Sequence, residues 1–482
     1  MAKEGSNITP LFHPHQAAVP HIHIIGVCGT AMAAIAVLAQ EKGWRVTGSD
    51  AAVYPPMSDI LAKAGIAVLP FAASNLVPAP DLCLIGNAIS RGNNEVEVIL
   101  NESLAYTSGA AFIGDYIVPK RHTVVVAGTH GKTSTASLMA YVLANAGENI
   151  GFMIGGVPED FSIGARLGHH ESPFVIEGDE YDTALFDKRS KFLHYHARTL
   201  ILNNLEYDHA DIFPDLAAIQ VQFEHLLRTV PAAGSIIVNA DDANLAAVLA
   251  EGCWTPCVSF SHRANKLATA WQWQADTADG RSFTLWHHGV VVIQEQWQMI
   301  GQHQVANACA VAAAAHGMGI ELSMIAAAFR QFKGVRRRMS LVNTVNGIRL
   351  FDDFAHHPTA IAGIVCAAKA AMQGKGKLWV ILEPRSNTMC CGIHQQALIA
   401  CFAAADHVLC LPPAKRGKND EDLLDVDRLC HDIGKKAMVI NSHAVLAEAF
   451  AGKIQAGDDV IILSNASVTA LHETLNTVRS KV

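Results

Sequence analysis

Short aliphatic and β-branched runs alternate with stretches of helical periodicity along most of the chain, which reads as an α/β protein. The first such unit is a strand over His21–Ile25, a glycine turn, a helix over Met32–Lys42 and a strand over Trp44–Thr47. A further strand follows over Asp81–Ile85. A second series begins with Thr123–Val126 and a helix over Ser134–Asn145, apolar at Leu138, Met139, Val142 and Leu143. It continues with strands ending at Glu177 and over Thr199–Leu202, then a helix over Leu216–Val230. Between Trp254 and Gln298 the period changes to two, predicting hairpin-like antiparallel strands with a turn at His287 to Gly289. An alanine-rich helix opens near Gly301, and another covers Ser323–Phe332. A third series of strands covers Ile348–Phe351, Leu378–Leu382, His407–Leu411, Ala437–Ile440 and Val460–Leu463, with helical periodicity between them.

This pattern predicts three domains: a Rossmann-like N-terminal domain over 1–118, a central P-loop domain over 119–335 and a Rossmann-like C-terminal domain over 336–482. The length of 482 residues supports more than one core. Half of the residues are apolar, and the net charge of −8 contains no long run of one sign, so neither nucleic acid nor a membrane surface is an expected partner. The eleven cysteines include no CxxC pair and read as reduced thiols of a cytoplasmic protein. Met1 to Pro20 is polar, broken by prolines and lacks the apolar stretch of a signal peptide, and no run reaches transmembrane length.

The chemistry concentrates after the strand at Thr123. Gly128, Thr129, His130, Gly131, Lys132, Thr133 and Ser134 form a glycine-rich turn that leads straight into a helix. Backbone N–H groups at such a turn wrap phosphates, the helix N-terminus adds positive potential, and Lys132 adds a point charge. Thr133 offers a hydroxyl to Mg²⁺. Only two residues separate the glycines where the general NTPase loop has four, which counts against a GTPase or a motor ATPase. Glu177 ends an apolar strand, a good place for a Mg²⁺ ligand, although four acids in six residues fit a solvated turn as well. His209, between Asp208 and Asp211 beyond another strand, is a candidate second metal ligand. His303 and Asn307, at a helix start, are placed to reach a nucleotide or to cap the helix. Arg336, Arg337 and Arg338, at the join to the third domain, suggest anion contact on domain closure or a solvated run of charge. His356, His357 and Pro358 suggest zinc, but no Cys or further His lies at zinc-like spacing, and the sequence gives no support for it.

The N-terminal turn carries Gly26 and Gly29, with Asp50 about twenty positions on, as nucleotide-binding folds require. Cys28 and Ala31 replace the glycines of a dinucleotide fingerprint, which weakens a dehydrogenase reading. Asn87 and Ser90 follow a strand's carboxyl end, where they line a ligand crevice or a solvated loop. Arg385, beyond the strand at Leu378, is a candidate fork for a substrate carboxylate.

The phosphate loop GTHGKTST resembles that of the Mur ligase family, the ATP-dependent amide-forming enzymes of bacterial wall synthesis. The segments EGDEYD (Glu177 to Asp182), NNLEYDH (Asn203 to His209) and DDFAHHPT (Asp352 to Thr359) follow in the family's order. The resemblance covers nearly the whole chain. It implies that Gly26, Cys28, Gly29, Thr30, Asp50, Asn87 and Ser90 hold a UDP-sugar. It implies that the loop residues Gly128 to Ser134, with Asn307, Arg338 and Asp353, meet ATP, Asp353 at the closing hinge. By the same resemblance Thr133, Glu177 and His209 hold Mg²⁺, and Lys132, His209 and Arg338 carry catalysis. Two branches share this N-terminal half: one adds L-alanine to UDP-N-acetylmuramate, the other joins the recycled murein tripeptide L-alanyl-γ-D-glutamyl-meso-diaminopimelate to it. The segments GVCGTAM (Gly26 to Met32), FDKRSKF (Phe186 to Phe192) and EPRSNTM (Glu383 to Met389) resemble the second branch, with Lys188, Arg189, Arg385 and Asn387 as candidate peptide contacts. A nicotinamide-dependent oxidoreductase and a non-catalytic nucleotide-binding protein are the competing classes.

Overall fold

The computed structural model describes residues 19–415, 422–450 and 452–480. The segment preceding Val19, read above for the absence of a signal peptide, lies outside them. The first sheet is parallel, with β1 (His21–Ile25), β2 (Arg45–Ser49), β3 (Val68–Leu69), β4 (Leu82–Ile85) and β5 (Tyr106–Ser108) in the order β3-β2-β1-β4-β5. Chain order reverses between β1 and β4, which opens a crevice at their carboxyl ends.

The central sheet contains β6 (Thr123–Ala127), β7 (Gly151–Met153), β8 (Ala165–Arg166), β9 (Phe174–Gly178), β12 (Thr199–Leu202), β13 (Ser235–Asn239), β14 (Cys257–His262), β15 (Trp271–Ala275), β16 (Ser282–His287) and β17 (Val290–Gln296). A small hairpin, β10 (Asp182–Ala184) and β11 (Asp187–Ser190), stands apart from it. β6 lies between β9 and β12 and is wholly buried, which is why it reads as an unbroken β-branched run. The hairpin expectation for Trp254–Gln298 holds only from β15 onward. β14 pairs parallel with both β13 and β15, because the short helix Ala243–Ala250 carries the chain across between β13 and β14.

The last sheet runs β18-β19-β23-β20-β21-β22, with β18 (Ser340–Val345), β19 (Ile348–Asp353), β20 (Leu378–Glu383), β21 (His407–Cys410), β22 (Ala437–Val439) and β23 (Asp459–Ser464). Only β18 is antiparallel in it. The helix Pro358–Ala371 follows β19 with proline in its first turn, where its missing N–H costs nothing.

The three sheets are coupled unequally. Side chains of the first sheet and one face of the central sheet form a single apolar cluster running from Ile22 to Val248. At that seam the backbone approaches so closely that a Cβ on Gly114 would lie 2.2 Å from the His194 carbonyl oxygen. The last sheet has its own apolar clusters, and among the described residues Ile300 is the one from the central part that packs against them. Polar contacts dominate its seam with the central part, as expected of units that move relative to one another.

Candidate active site

The phosphate loop follows β6 and begins the helix Lys132–Asn145. Gly128 sits at φ 144° and Gly131 at φ 80°, both in backbone regions that side chains disfavour. A Cβ on Gly128 would come within 3.0 Å of the Asn204 carbonyl oxygen, so the loop is pressed against the segment after β12. That segment holds the loop in place. His130 N–H donates to Asn204 Oδ1 at 3.0 Å, and the Thr129 hydroxyl exchanges hydrogen bonds with the Glu206 backbone at 2.8 and 3.0 Å. The Thr129 hydroxyl is thus committed to the scaffold. Ser134 lines the neighbouring cavity.

Lys132 folds back over its own loop. Its Nζ donates to Gly128 O at 2.6 Å, to Thr129 O at 3.3 Å and to Glu180 Oε2 at 2.9 Å. Burial opposes its charge, but Glu180, Asp179 and Glu177 outweigh that and raise its pKa. The other oxygen of Glu180 lies 3.0 Å from His209 Nε2. Burial again opposes the imidazolium, and Glu180 and Asp208 raise its pKa. Glu180 was not singled out from the sequence, where it is one acid among four. Its role shows only in three dimensions.

Thr133 Oγ1 lies 3.0 Å from Glu177 Oε2, and Arg338 donates to the same hydroxyl at 3.2 Å. Gly155 N–H holds the other Glu177 oxygen at 2.6 Å. Burial, reinforced by Asp179, pushes the Glu177 carboxyl pKa up against that N–H, Arg338 and Lys132, so a cation beside it would relieve a buried charge. A hydroxyl and a carboxylate beside a phosphate loop are a hard-oxygen donor set of the kind Mg²⁺ takes. His209 meets Glu180, which also meets Lys132, and among the described residues no hydrogen bond joins His209 to Glu177 or Thr133.

The loop opens into a cavity of about 290 Å³ between the central part and the last sheet. His303, Gln304, Asn307, Arg338, Asp353 and Thr359 line it together with Asn203, Asn204 and Glu206. Asn307 faces the loop, its Oδ1 being 3.4 Å from where a Gly131 Cβ would stand. Asp353 accepts from the N–H groups of Met339 and Ala355 at 2.8 and 2.7 Å. Burial pushes its carboxyl up to about 6, against Arg338 and those two donors. Across the seam, the Thr359 hydroxyl donates to Glu206 at 2.8 Å, and Asn387 donates to Asp211 at 2.7 Å.

In the first sheet, Gly26 (φ 80°), Cys28, Gly29, Thr30, Asp50, Asn87 and Ser90 all lie at the carboxyl ends of β1, β2 and β4. Cys28 N–H donates to Asp50 Oδ2 at 2.8 Å, joining two of them directly. The peptide candidates are less assembled. Arg385 is bound to Glu383 and to the carbonyls of Pro384 and Pro412. Lys188 and Arg189 pair with Asp182 and Asp187 of their own hairpin. Lys188 and Arg189 nevertheless stay 70% and 66% exposed, so part of each cation is open to solvent, whereas Arg385 is more enclosed.

Three family descriptions match in succession: "Mur ligase family, catalytic domain" over residues 21–121, "Mur ligase middle domain" over 126–315 and "Mur ligase, glutamate ligase domain" over 337–466. The UDP-N-acetylmuramate–L-alanyl-γ-D-glutamyl-meso-2,6-diaminoheptandioate ligases of Haemophilus influenzae and Escherichia coli are 40% and 42% identical, each over 94% of this chain and 98% and 97% of their own. A UDP-N-acetylmuramate–L-alanine ligase from Streptococcus pyogenes is 31% identical over 76% of this chain and 77% of its own. The murein peptide ligase from Psychrobacter arcticus is 40% identical, covers 96% of this chain and 99% of its own, and superposes with a TM-score of 0.72. With its three large sheets matched in order, the chain belongs to the Mur ligase family.

Proposed function

We propose that this chain is an ATP-dependent ligase of peptidoglycan recycling that joins L-alanyl-γ-D-glutamyl-meso-diaminopimelate to UDP-N-acetylmuramate. The observation that carries the reading is the likeness, at 40–42% identity across nearly the full length, to ligases named for that reaction. The buried lysine loop facing the last sheet is a fitting place for the chemistry. No helix among the described residues is long and apolar enough to cross a membrane.

A carboxylate resists attack by an amine because oxide is a very poor leaving group. In the proposed reaction a lactyl carboxylate oxygen bonds to the γ-phosphorus of ATP, and ADP leaves. The tripeptide's α-amine then forms the C–N bond, phosphate departs with the carboxylate's oxygen, and the amine's proton is lost. No covalent enzyme intermediate is needed. Lys132 and the loop N–H groups hold the phosphates, and Arg338, reaching Thr133 from the linker, neutralises developing charge as the last sheet closes. Thr133 and Glu177 fit Mg²⁺, which supplies charge neutralisation on the phosphate oxygens when bound. His209 and Glu180 orient Lys132. Closure of the polar seam excludes water from the acyl phosphate. The crevice of the first sheet is the proposed UDP-sugar site, and domain limits at 118 and 335 follow from the same reading.

Phosphate release from ATP and UDP-N-acetylmuramate, with either L-alanine or the tripeptide as third component, tests the choice of amine. Turnover with the tripeptide alone is expected; turnover with alanine alone would move the chain to the alanine-adding branch. Transfer of ¹⁸O from the lactyl carboxylate into the released phosphate tests the acyl phosphate.

A further inference from the structure

Beside the phosphate loop lies a second group of donors whose side chains take no step in the reaction proposed above. His130 stands on the loop, Glu206 follows β12, and His357 immediately precedes the helix Pro358–Ala371. One ligand atom from each lies within 4.8 Å of the others. His357 Nδ1 is 2.9 Å from Glu206 Oε2, and His130 Nε2 is 3.7 Å from Glu206 Oε1. The two imidazoles lie nearly parallel, with ring centroids 5.7 Å apart.

Both imidazoles face Glu206 and help to hold its carboxyl low, but their angles are poor for hydrogen bonds. His130 Nε2 and His357 Nδ1 are buried and neither has a partner of hydrogen-bonding geometry, and His357 is 7% exposed. A metal at tetrahedral Zn–N and Zn–O distances would place its donors about 3.3 Å apart, between the two spacings observed. The supporting contacts also fit. Asn204 holds His130 Nδ1 at 3.1 Å, leaving Nε2 toward Glu206, and the Thr359 hydroxyl fixes the Glu206 carboxylate. Two imidazoles and a carboxylate favour a first-row transition metal over Mg²⁺. The spacing argument against zinc at His356 to Pro358 weighed only nearby positions, and His130 comes from a loop more than two hundred residues earlier.

We propose that His130, Glu206 and His357 form a binding site for a divalent transition-metal ion, with Zn²⁺ as its probe, that ties the phosphate loop to the last sheet. The site is separate from the oxygen donors Thr133 and Glu177. Because His130 and Glu206 also line the interdomain cavity, an ion there places positive charge on its wall and holds the seam closed.

The test is calorimetric titration of the full-length chain with Zn²⁺ in excess Mg²⁺, repeated with Co²⁺ to read ligand-field absorption. One tightly bound Zn²⁺ per chain is expected. Its affinity should fall about tenfold or more in both His357→Ala and Glu206→Gln, and the Co²⁺ band should change in both. His170→Ala, in the exposed group of His169, His170 and Glu171, should leave binding as it was. Absence of binding, retention of affinity in His357→Ala, or loss confined to His170→Ala or His209→Ala would overturn the assignment. Far-ultraviolet circular dichroism identifies a variant that has failed to fold, in which case the other variant decides.

Discussion

Replacing Glu180 by glutamine removes one negative charge while keeping the side chain's size. Glu180 is 2% exposed and Lys132 12%, so the pair is largely shielded from water, and Glu180 also holds His209. Removing one partner of a buried ion pair costs about 3–5 kcal/mol because the other charge is left uncompensated. The cost has a ceiling. Lys132 can shed its proton instead, which at pH 7 costs about 4.6 kcal/mol for an ordinary lysine pKa near 10.4. It also keeps the Gly128 carbonyl and the fields of Asp179 and Glu177, so about 3 kcal/mol is the expected loss. Because the central part shares its apolar core with the first sheet, the unit is about 300 residues, and the loss lowers its Tm by about 5 °C, measured by scanning calorimetry. A double-mutant cycle with Lys132→Met isolates the pair: in that background Glu180→Gln should cost far less. The variant should also lose a pH slope. His209 has a raised pKa in the folded chain, so its contribution is complete below about pH 6.5 and fades as pH rises through the raised value. Without Glu180 that fading should shrink, since of the two acids that raise the pKa only Asp208 remains. A Tm change below about 2 °C, or an equal loss with and without Lys132, would refute the reasoning.

Lys132→Ala should reduce phosphate release by about a hundredfold or more with the fold intact by circular dichroism, and unchanged ligation would remove the lysine from the mechanism. Gly128→Ala forces a Cβ to 3.0 Å from the Asn204 carbonyl at φ 144°, so about 1–3 kcal/mol of strain and weaker ATP binding are expected in equilibrium titration. Asp353, with its carboxyl raised by burial to about 6, stabilises the fold fully below about pH 4, and that contribution is lost as pH rises through 6, a change of about 3 kcal/mol. Asp353→Asn should therefore gain in Tm relative to the parent between pH 4 and 7; parallel profiles would contradict this.

Several elements could be read directly because their signals are local. β1 and β12 begin and end where the apolar runs do, and the phosphate loop is contiguous from Gly128 to Ser134. The parallel setting of β14 could not be read, since strand direction depends on what precedes and follows a strand and not on its alternation. Glu180 was hidden among neighbouring acids, and Lys188 looked available because its pairing with Asp182 crosses a hairpin; Arg189 pairs with Asp187 two residues away on its own strand.

The order of hydrophobic runs, the glycine turn and its lysine were enough to determine a chain of α/β units built around a phosphate-holding loop, with the resemblance to Mur ligases resting on such contiguous segments. Which residues face that loop was decided by folding alone. Arg338 meets Thr133 across 205 positions and Thr359 meets Glu206 across 153, pairings that leave no periodicity in the sequence. Short-range periodicity follows from backbone geometry, whereas a site between domains depends on how separately formed sheets pack.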